Sequence, residues 1–442
     1  MGAISLKQTF SKLGLDLYSK VLSNGLTIYV VPMKNKHDIY ATFTTKYGSN
    51  INEFVPNGAK DMIEVPYGVA HFLEHKMFEQ ENGEDPFVIF SRNGANSNAF
   101  TTYDHTTYLF SGPKKFYENL ECLLDFVQSP YFTDENVLKE KGIIDQERAM
   151  YQDDPDTRMH DESLNNLLSC HPLKYPIIGT HDSIYEISKE DLYNCYNTFY
   201  HPSNMFLVVT GNVDVDDVFK FVEENQSKKN FSNKFDIEIE KYNETEKVVS
   251  KYKEIKMDVN IPKASVSYKI KRDLNIDLYD YLSYLTLYFD LKLGVTSENA
   301  ELLKKANIIY YDICMDLLVV DDYILVRFFA DTEKVLEFTN KVDEFLNDKN
   351  VLEKEFLRKK KCYISSLILS SDSIFSVNRK IISNVIRYGK VVDDEIDKLN
   401  DLSFEKLNTI IKNVSFENKT ILVVNKKWNQ SRNILIFFLY IL

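Results

Sequence analysis

The stretch Tyr67-Gly68-Val69-Ala70-His71-Phe72-Leu73-Glu74-His75-Lys76-Met77-Phe78 carries more chemistry than any other in the 442-residue chain. Its pattern predicts a helix over about 67–80, with Pro66 just ahead as a start signal. On a helix, His71 and His75 stand one turn apart on the same face, and Glu74 shares that face. Two imidazoles and a carboxylate gathered in this way can bind zinc and activate its water. The order is H-x-x-E-H, the reverse of the commoner H-E-x-x-H. Such a helix still needs a third ligand from elsewhere in the chain.

Working outward, the segment 21–31 holds the turn signal Asn24-Gly25 and a β-rich run, and 41–47 reads as the next strand. Beyond the histidines, a polar stretch punctuated by Gly94 leads to two predicted strands, 99–103 and 106–110. The segment 114–127 is amphipathic, with Phe116, Leu120, Leu123, Leu124 and Val127 at helical spacing. Thr133-Asp134-Glu135-Asn136 resembles a capped helix start and opens a predicted helix reaching about Tyr151. Glu140 and Glu147 lie seven apart on one face of that helix. An acidic pair on a helix is usually a solvated face. This one matters because the histidine helix lacks a carboxylate partner.

Further helices are predicted up to Leu168 and over 188–200, then a buried strand over 206–210 and a helix over 216–225. The Lys- and Asn-rich residues 227–246 read as a connector, which divides the chain into an N-terminal domain, 1–226, and a C-terminal domain, 247–442. The second half repeats the first in outline. Segments 188–207 and 403–422 have the same length and the same helix-then-strand order, at a shift of 215 residues (403 − 188). One ends Leu207-Val208-Val209 and the other Leu422-Val423-Val424. No H-x-x-E-H occurs in the second half, and every histidine lies at or before His201. A duplicated fold with its chemistry in one copy is the expectation. The fold class expected is α+β: two related units, each a mainly antiparallel sheet with helices packed on it.

Bulk composition, 44% apolar and 27% charged, is that of a soluble globular protein. A net charge of −13 argues against a nucleic-acid partner, since phosphate binding needs a basic face. The five cysteines form no C-x-x-C pair, so buried thiols in a reducing compartment are expected. No secretory signal and no apolar run of membrane-spanning length is visible, which makes a cytoplasmic location the simplest expectation. The final stretch 434–442 is almost wholly apolar but too short to span a bilayer as a helix.

These motifs together resemble the pitrilysin/insulysin family of inverzincin peptidases, above all its similarly sized members from Gram-positive bacteria. The resemblance rests on His71-Phe72-Leu73-Glu74-His75, on Asn98-Ala99-Phe100-Thr101, on Glu140 and Glu147, and on Phe199-Tyr200-His201-Pro202-Ser203-Asn204-Met205. It implies one zinc ion per chain, held by His71, His75 and Glu147, with Glu74 as general base and Glu140 orienting a ligand. It also implies that the strand carrying Asn98, Ala99 and Phe100 pairs with an extended peptide substrate. The implied activity is that of a metalloendopeptidase cutting short or unfolded peptides in an enclosed chamber. The alternative is a non-catalytic structural or peptide-binding subunit.

Full-length insulysin-like enzymes carry an Arg and a Tyr seven residues apart in their second half. Here Arg327 is followed at that spacing by Lys334, and neither Arg379 nor Arg387-Tyr388 restores the pattern. The resemblance therefore implies half of a clamshell. A related subunit would supply the opposite wall and the Arg/Tyr pair, or else the chain would pair with a second copy of itself.

Overall fold

A computed structural model describes residues 5–427. Its first strands are β1 (Ser5–Phe10), β2 (Leu15–Val21), β3 (Thr27–Pro32), β4 (Ile39–Thr45) and the two-residue β5 (Glu53–Phe54) and β6 (Ile63–Glu64). Next come α1 (Val69–Lys76), α2 (Pro86–Arg92), β7 (Asn96–Thr101), β8 (Thr106–Gly112), α3 (Phe116–Val127) and α4 (Asp134–Asp153). The first half closes with α5 (Pro155–Leu167), α6 (His181–Glu186), α7 (Lys189–Phe199), β9 (Met205–Gly211) and α8 (Val215–Ser227).

The second half opens with β10 (Tyr252–Met257), β11 (Lys263–Lys271), α9 (Leu278–Leu293), α10 (Glu298–Lys305), β12 (Cys314–Val320) and β13 (Tyr323–Asp331). It continues through α11 (Val335–Asn347), α12 (Glu353–Ser370), α13 (Ile374–Tyr388), α14 (Glu395–Asp401), α15 (Phe404–Asn413) and β14 (Lys419–Lys426). The apolar stretch 434–442 lies outside the described residues.

Leaving aside the short β5 and β6, the run from β3 to β9 and the run from β10 to β14 have the same order of strands and helices. The sheets agree as well. One is ordered β1-β2-β3-β9-β4-β8-β7 and the other β10-β14-β11-β13-β12. In the first, β3 and β9 are parallel and the pairs β9–β4, β4–β8 and β8–β7 are antiparallel. In the second, β10 and β14 are parallel and β14–β11, β11–β13 and β13–β12 are antiparallel. This is one sheet made twice, lengthened in the first copy by the β1–β2 hairpin. Even the caps correspond: Ser188 caps α7 through Asp191 N, and Ser403 caps α15 through Lys406 N. The duplication expected from the 215-residue shift is present in three dimensions.

Compact packing does not follow a contiguous cut at the connector. One unit takes the described residues of Met1–Arg148, Tyr175–Tyr242 and Lys360–Asp401, and the other those of Ala149–Lys174, Asn243–Lys359 and Leu402–Leu442. The cause is an exchange of equivalent helices. Helix α13, from the second half of the sequence, packs on β4 and β9 of the first sheet. Its counterpart α5, from the first half, packs on β11 and β14 of the second.

Strand alternation sorts the first unit's apolar side chains between its two faces. Ile28, Val30, Leu207 and Val209 join the large core under α1, α3 and α7, while Tyr29, Val31, Phe206 and Val208 face Ile374, Val377, Ile381 and Val385 of α13. Each fully buried side chain of this kind stabilises by roughly 1.5–3 kcal/mol. Polar bonds fix the register: the Thr42 hydroxyl donates to Asn378 Oδ1 (2.8 Å), and Asn378 Nδ2 donates to the Val208 carbonyl (3.1 Å).

In the second unit, Met159 of α5 packs on Leu422 and Val424. Part of the stretch read as connector is anchored there. The Glu244 carboxylate accepts from the backbone N–H groups of Ser169, Cys170 and His171 (2.8, 3.0 and 3.0 Å) and from Lys269 Nζ (2.7 Å).

All five cysteines are unbridged, but Cys170, Cys314 and Cys362 are exposed and only Cys195 is buried. The expectation of buried thiols therefore fails for those three. Among the described residues no helix is long and apolar enough to cross a membrane.

Candidate metal centre

The histidine helix is shorter at both ends than its sequence pattern predicts, and Gly68 sets where it starts. Gly68 caps α1 with a left-handed φ of 91°. A Cβ there would lie 2.4 Å from the Ile178 carbonyl oxygen, and one on Gly179 would lie 2.5 Å from the Tyr67 oxygen. Two glycines back to back let the loop before α6 press against the helix start. Ser183 locks the contact by donating to the Tyr67 carbonyl (2.7 Å). Phe72 and Leu73 bury one side of α1 in the core, leaving His71 and His75 half-buried on the other with ring centroids 4.6 Å apart.

Helix α4 brings its acidic pair to that face. His75 Nε2 lies 3.4 Å from Glu147 Oε2, and His71 Nε2 lies 3.9 Å from Glu147 Oε1. On its other nitrogen, His75 Nδ1 meets Glu140 Oε1 at 3.1 Å. A donor atom from each of His71, His75 and Glu147 lies within 4.8 Å of the others. Tetrahedral ligands about 2.0–2.2 Å from one zinc ion stand roughly 3.3–3.6 Å apart, so these three fit zinc with a small inward movement. Two imidazoles and one carboxylate also leave a fourth position open, as a catalytic rather than a structural zinc site requires.

Electrostatics separate the two histidines. Burial lowers His71 to about 4, helped by the neighbouring His75. Burial also works against charge on His75, but Glu140 and Glu147 outweigh it and raise that imidazole to about 9. Glu74, nearly buried, is raised by desolvation, against which the bond from Thr101 pulls. That bond runs from Thr101 Oγ1 to Glu74 Oε2 at 2.6 Å. Lys76 is fully buried, pairs with Glu79 and lies 3.9 Å from Glu140 Oε2. It helps hold Glu140 below the ordinary carboxylate range, where burial alone would raise it and His75 contributes most to lowering it.

The structure thus brings together His71, Glu74, His75, Glu140 and Glu147. Asn98, Ala99 and Phe100 lie nearby on β7, the terminal strand of the first sheet, whose outer edge is unpaired among the described residues. Arg327 plays no part in this group. It is fully buried in the second unit, where it donates to the His160 carbonyl (2.9 Å), to Ser163 Oγ (2.9 Å) and to Asp316. Two features went unassigned in the sequence. Thr101 stood in a quoted motif without a role, and Lys76 stood in the quoted helix stretch without one.

Known proteins resemble this chain in both sequence and fold. The pattern of the family described as Insulinase (Peptidase family M16) matches residues 48–181, and that of the peptidase M16 inactive domain matches residues 186–294. The chain is 46% identical to the uncharacterized zinc protease YmfH of Bacillus subtilis (strain 168), over 66% of this chain and 68% of that one. An M16-like peptidase from Alicyclobacillus acidocaldarius superposes with a TM-score of 0.89 at 31% identity, covering 93% of this chain and 99% of that one. The periplasmic protease PqqL from Escherichia coli shares the fold at 18% identity and a TM-score of 0.72. That match takes in 98% of this chain but 49% of PqqL. Family pattern, a relative matched over two thirds of its length and a full-length structural match all converge, and the chain belongs to the insulinase family, peptidase family M16.

Proposed function

We propose that this chain is a zinc-dependent endopeptidase acting on short or unfolded peptides, with its chemistry in the first unit. The observation that carries the reading is the convergence of His71, His75 and Glu147 to within 4.8 Å, beside the partly desolvated carboxylate of Glu74. His71, His75 and Glu147 would hold the metal. A zinc ion there would supply Lewis acidity, polarising the scissile carbonyl and making water nucleophilic near neutral pH.

The chain's own residues do the rest. Glu74 takes the proton from the attacking water and delivers it to the leaving amine. Glu140 accepts from His75 Nδ1, which fixes the tautomer and turns Nε2 toward Glu147. The open edge of β7, at Asn98, Ala99 and Phe100, receives the peptide as an added strand, so backbone extension rather than side-chain identity governs binding. The match to about half of PqqL supports a working unit of two such chains in which a related subunit, or a second copy, closes the chamber and contributes the Arg/Tyr pair.

Metal analysis together with mass spectrometry of peptide digests tests the proposal, on this chain alone and mixed with a related subunit. Wild type should carry one zinc per chain and cut peptides. Glu74→Gln should keep the zinc and abolish cutting, whereas Glu147→Gln should lose zinc. A wild-type chain that binds no zinc and cuts nothing in either setting would instead establish the alternative, a non-catalytic subunit.

A further inference from the structure

We infer that Thr101 is a positioning residue, whose hydroxyl aims the Glu74 carboxylate and ties it to the open edge of β7. This rests on the reading of Glu74 as the base. Glu74 belongs to α1 and Thr101 is the last residue of β7, so their 2.6 Å bond joins the helix of the metal ligands to the strand proposed to take the substrate. A hydroxyl has one proton, and the ionised Glu74 can only accept, so Thr101 is the donor.

Its setting leaves that hydroxyl little freedom. Thr106, directly opposite in the β7–β8 register and fully buried, places its own hydroxyl 3.3 Å from Thr101 Oγ1 and 3.0 Å from the Tyr47 carbonyl. A β-branched side chain is also stiff at χ1. With Oε2 held by Thr101, the proton-accepting role falls to Oε1.

The edge geometry ties this to substrate. The Ala99 N–H bonds to Asn98 Oδ1 (2.9 Å), within its own strand, rather than joining the ladder to β8. Successive peptide groups in a strand alternate direction, so residues 99 and 101 share the open edge. A peptide added at Ala99 therefore runs alongside the residue that holds the base.

The test compares full-length wild type, Thr101→Val and Thr101→Ser, all loaded with zinc, on a peptide that wild type cuts. Crystal structures of the zinc-free proteins give a second readout. Thr101→Val should keep its zinc and lower kcat by about 10–100-fold, the cost of a misplaced catalytic group. Its KM should stay within about twofold of wild type, because the edge itself is intact. Glu74 should leave its wild-type position in the crystal, and Thr101→Ser should restore both kcat and that position. Should the valine variant lose its cooperative thermal transition, Thr101→Ala replaces it with the same expectations. Unchanged kcat with Glu74 in place would overturn the inference, as would a serine variant no better than valine. Failure of the base reading shows elsewhere, as a Glu74→Gln protein that cuts at the wild-type rate. The crystallographic comparison then still decides whether Thr101 holds Glu74.

Discussion

Replacing Glu244 by glutamine tests whether the connector is a latch of the second unit. In the native protein its carboxylate and the Lys269 ammonium are both buried, 2.7 Å apart. At an effective dielectric constant of about 20 that separation is worth about 6 kcal/mol of Coulomb energy, from which desolvation must be subtracted. Glutamine removes the charge and turns an NH2 group toward donors: Ser169 N–H, Ser169 Oγ and Lys269 on one oxygen, or Cys170 N–H and His171 N–H on the other. Breaking a buried pair while leaving its partner charged costs about 3–5 kcal/mol, a large part of a typical domain's stability. Amide hydrogen exchange in β11 and β13 should therefore quicken by roughly two to three and a half powers of ten.

The double variant Glu244→Gln/Lys269→Met should recover part of that loss, because no unpaired charge remains. Titration gives an independent check. Burial alone would raise the Glu244 pKa, but Lys269 and the N–H groups of Ser169, Cys170 and His171 hold it well below its ordinary 4.5. The unfolded chain then binds more protons, so this contribution is complete above about pH 4.5 and fades as the pH falls below it. The glutamine variant should lose that part of the acid sensitivity. A loss under about 1 kcal/mol, with the wild-type acid slope retained, would refute the latch.

Gly68→Ala should destabilise the first unit, since the left-handed backbone alone costs about 1–2 kcal/mol and the new Cβ would meet the Ile178 carbonyl at 2.4 Å. A lower melting temperature and reduced zinc retention after dialysis are expected; a variant matching wild type in both would show that the helix start tolerates a side chain. Asn378→Leu leaves the Thr42 hydroxyl and a bond to the Val208 carbonyl unmade among buried groups, at about 2–4 kcal/mol. Hydrogen exchange should rise in α13 and β9 but not in β11, and equal protection in all three would contradict this.

Much of the candidate site was legible because its chemistry is local. His71, Glu74 and His75 sit within one helical turn and a half, and the spacing of Glu140 and Glu147 already put them on one face. The duplication was legible too, since Ser188 and Ser403 begin matching segments. Tertiary contacts were not. The helix over 67–80 was started too early because nothing local says that Gly68 must be left-handed to clear Ile178. Nothing local marks Lys76 as buried, and Glu244 stood in a stretch read as connector, although its ion pair with Lys269 is buried. Thr101 is a common strand residue whose single donated bond depends on α1 crossing above it. The apolar stripe of α13 predicts burial without saying which sheet it covers, so the exchange with α5 was invisible.

That exchange also sets a timetable for synthesis. Strand β9 ends at Gly211, but the helix that covers its outer face is not finished until Tyr388, 177 residues later (388 − 211). At about 5–20 residues per second the ribosome needs roughly 9–35 s to make that length. Throughout that interval Leu17, Val31, Tyr40, Phe206 and Val208 present an uncovered apolar surface on the nascent chain. Helix α5 waits still longer, since the last strand of its sheet ends at Lys426. A polypeptide stopped at residue 226 would carry the whole metal-binding constellation and yet keep its sheet open on one side, a sticky intermediate rather than a smaller enzyme.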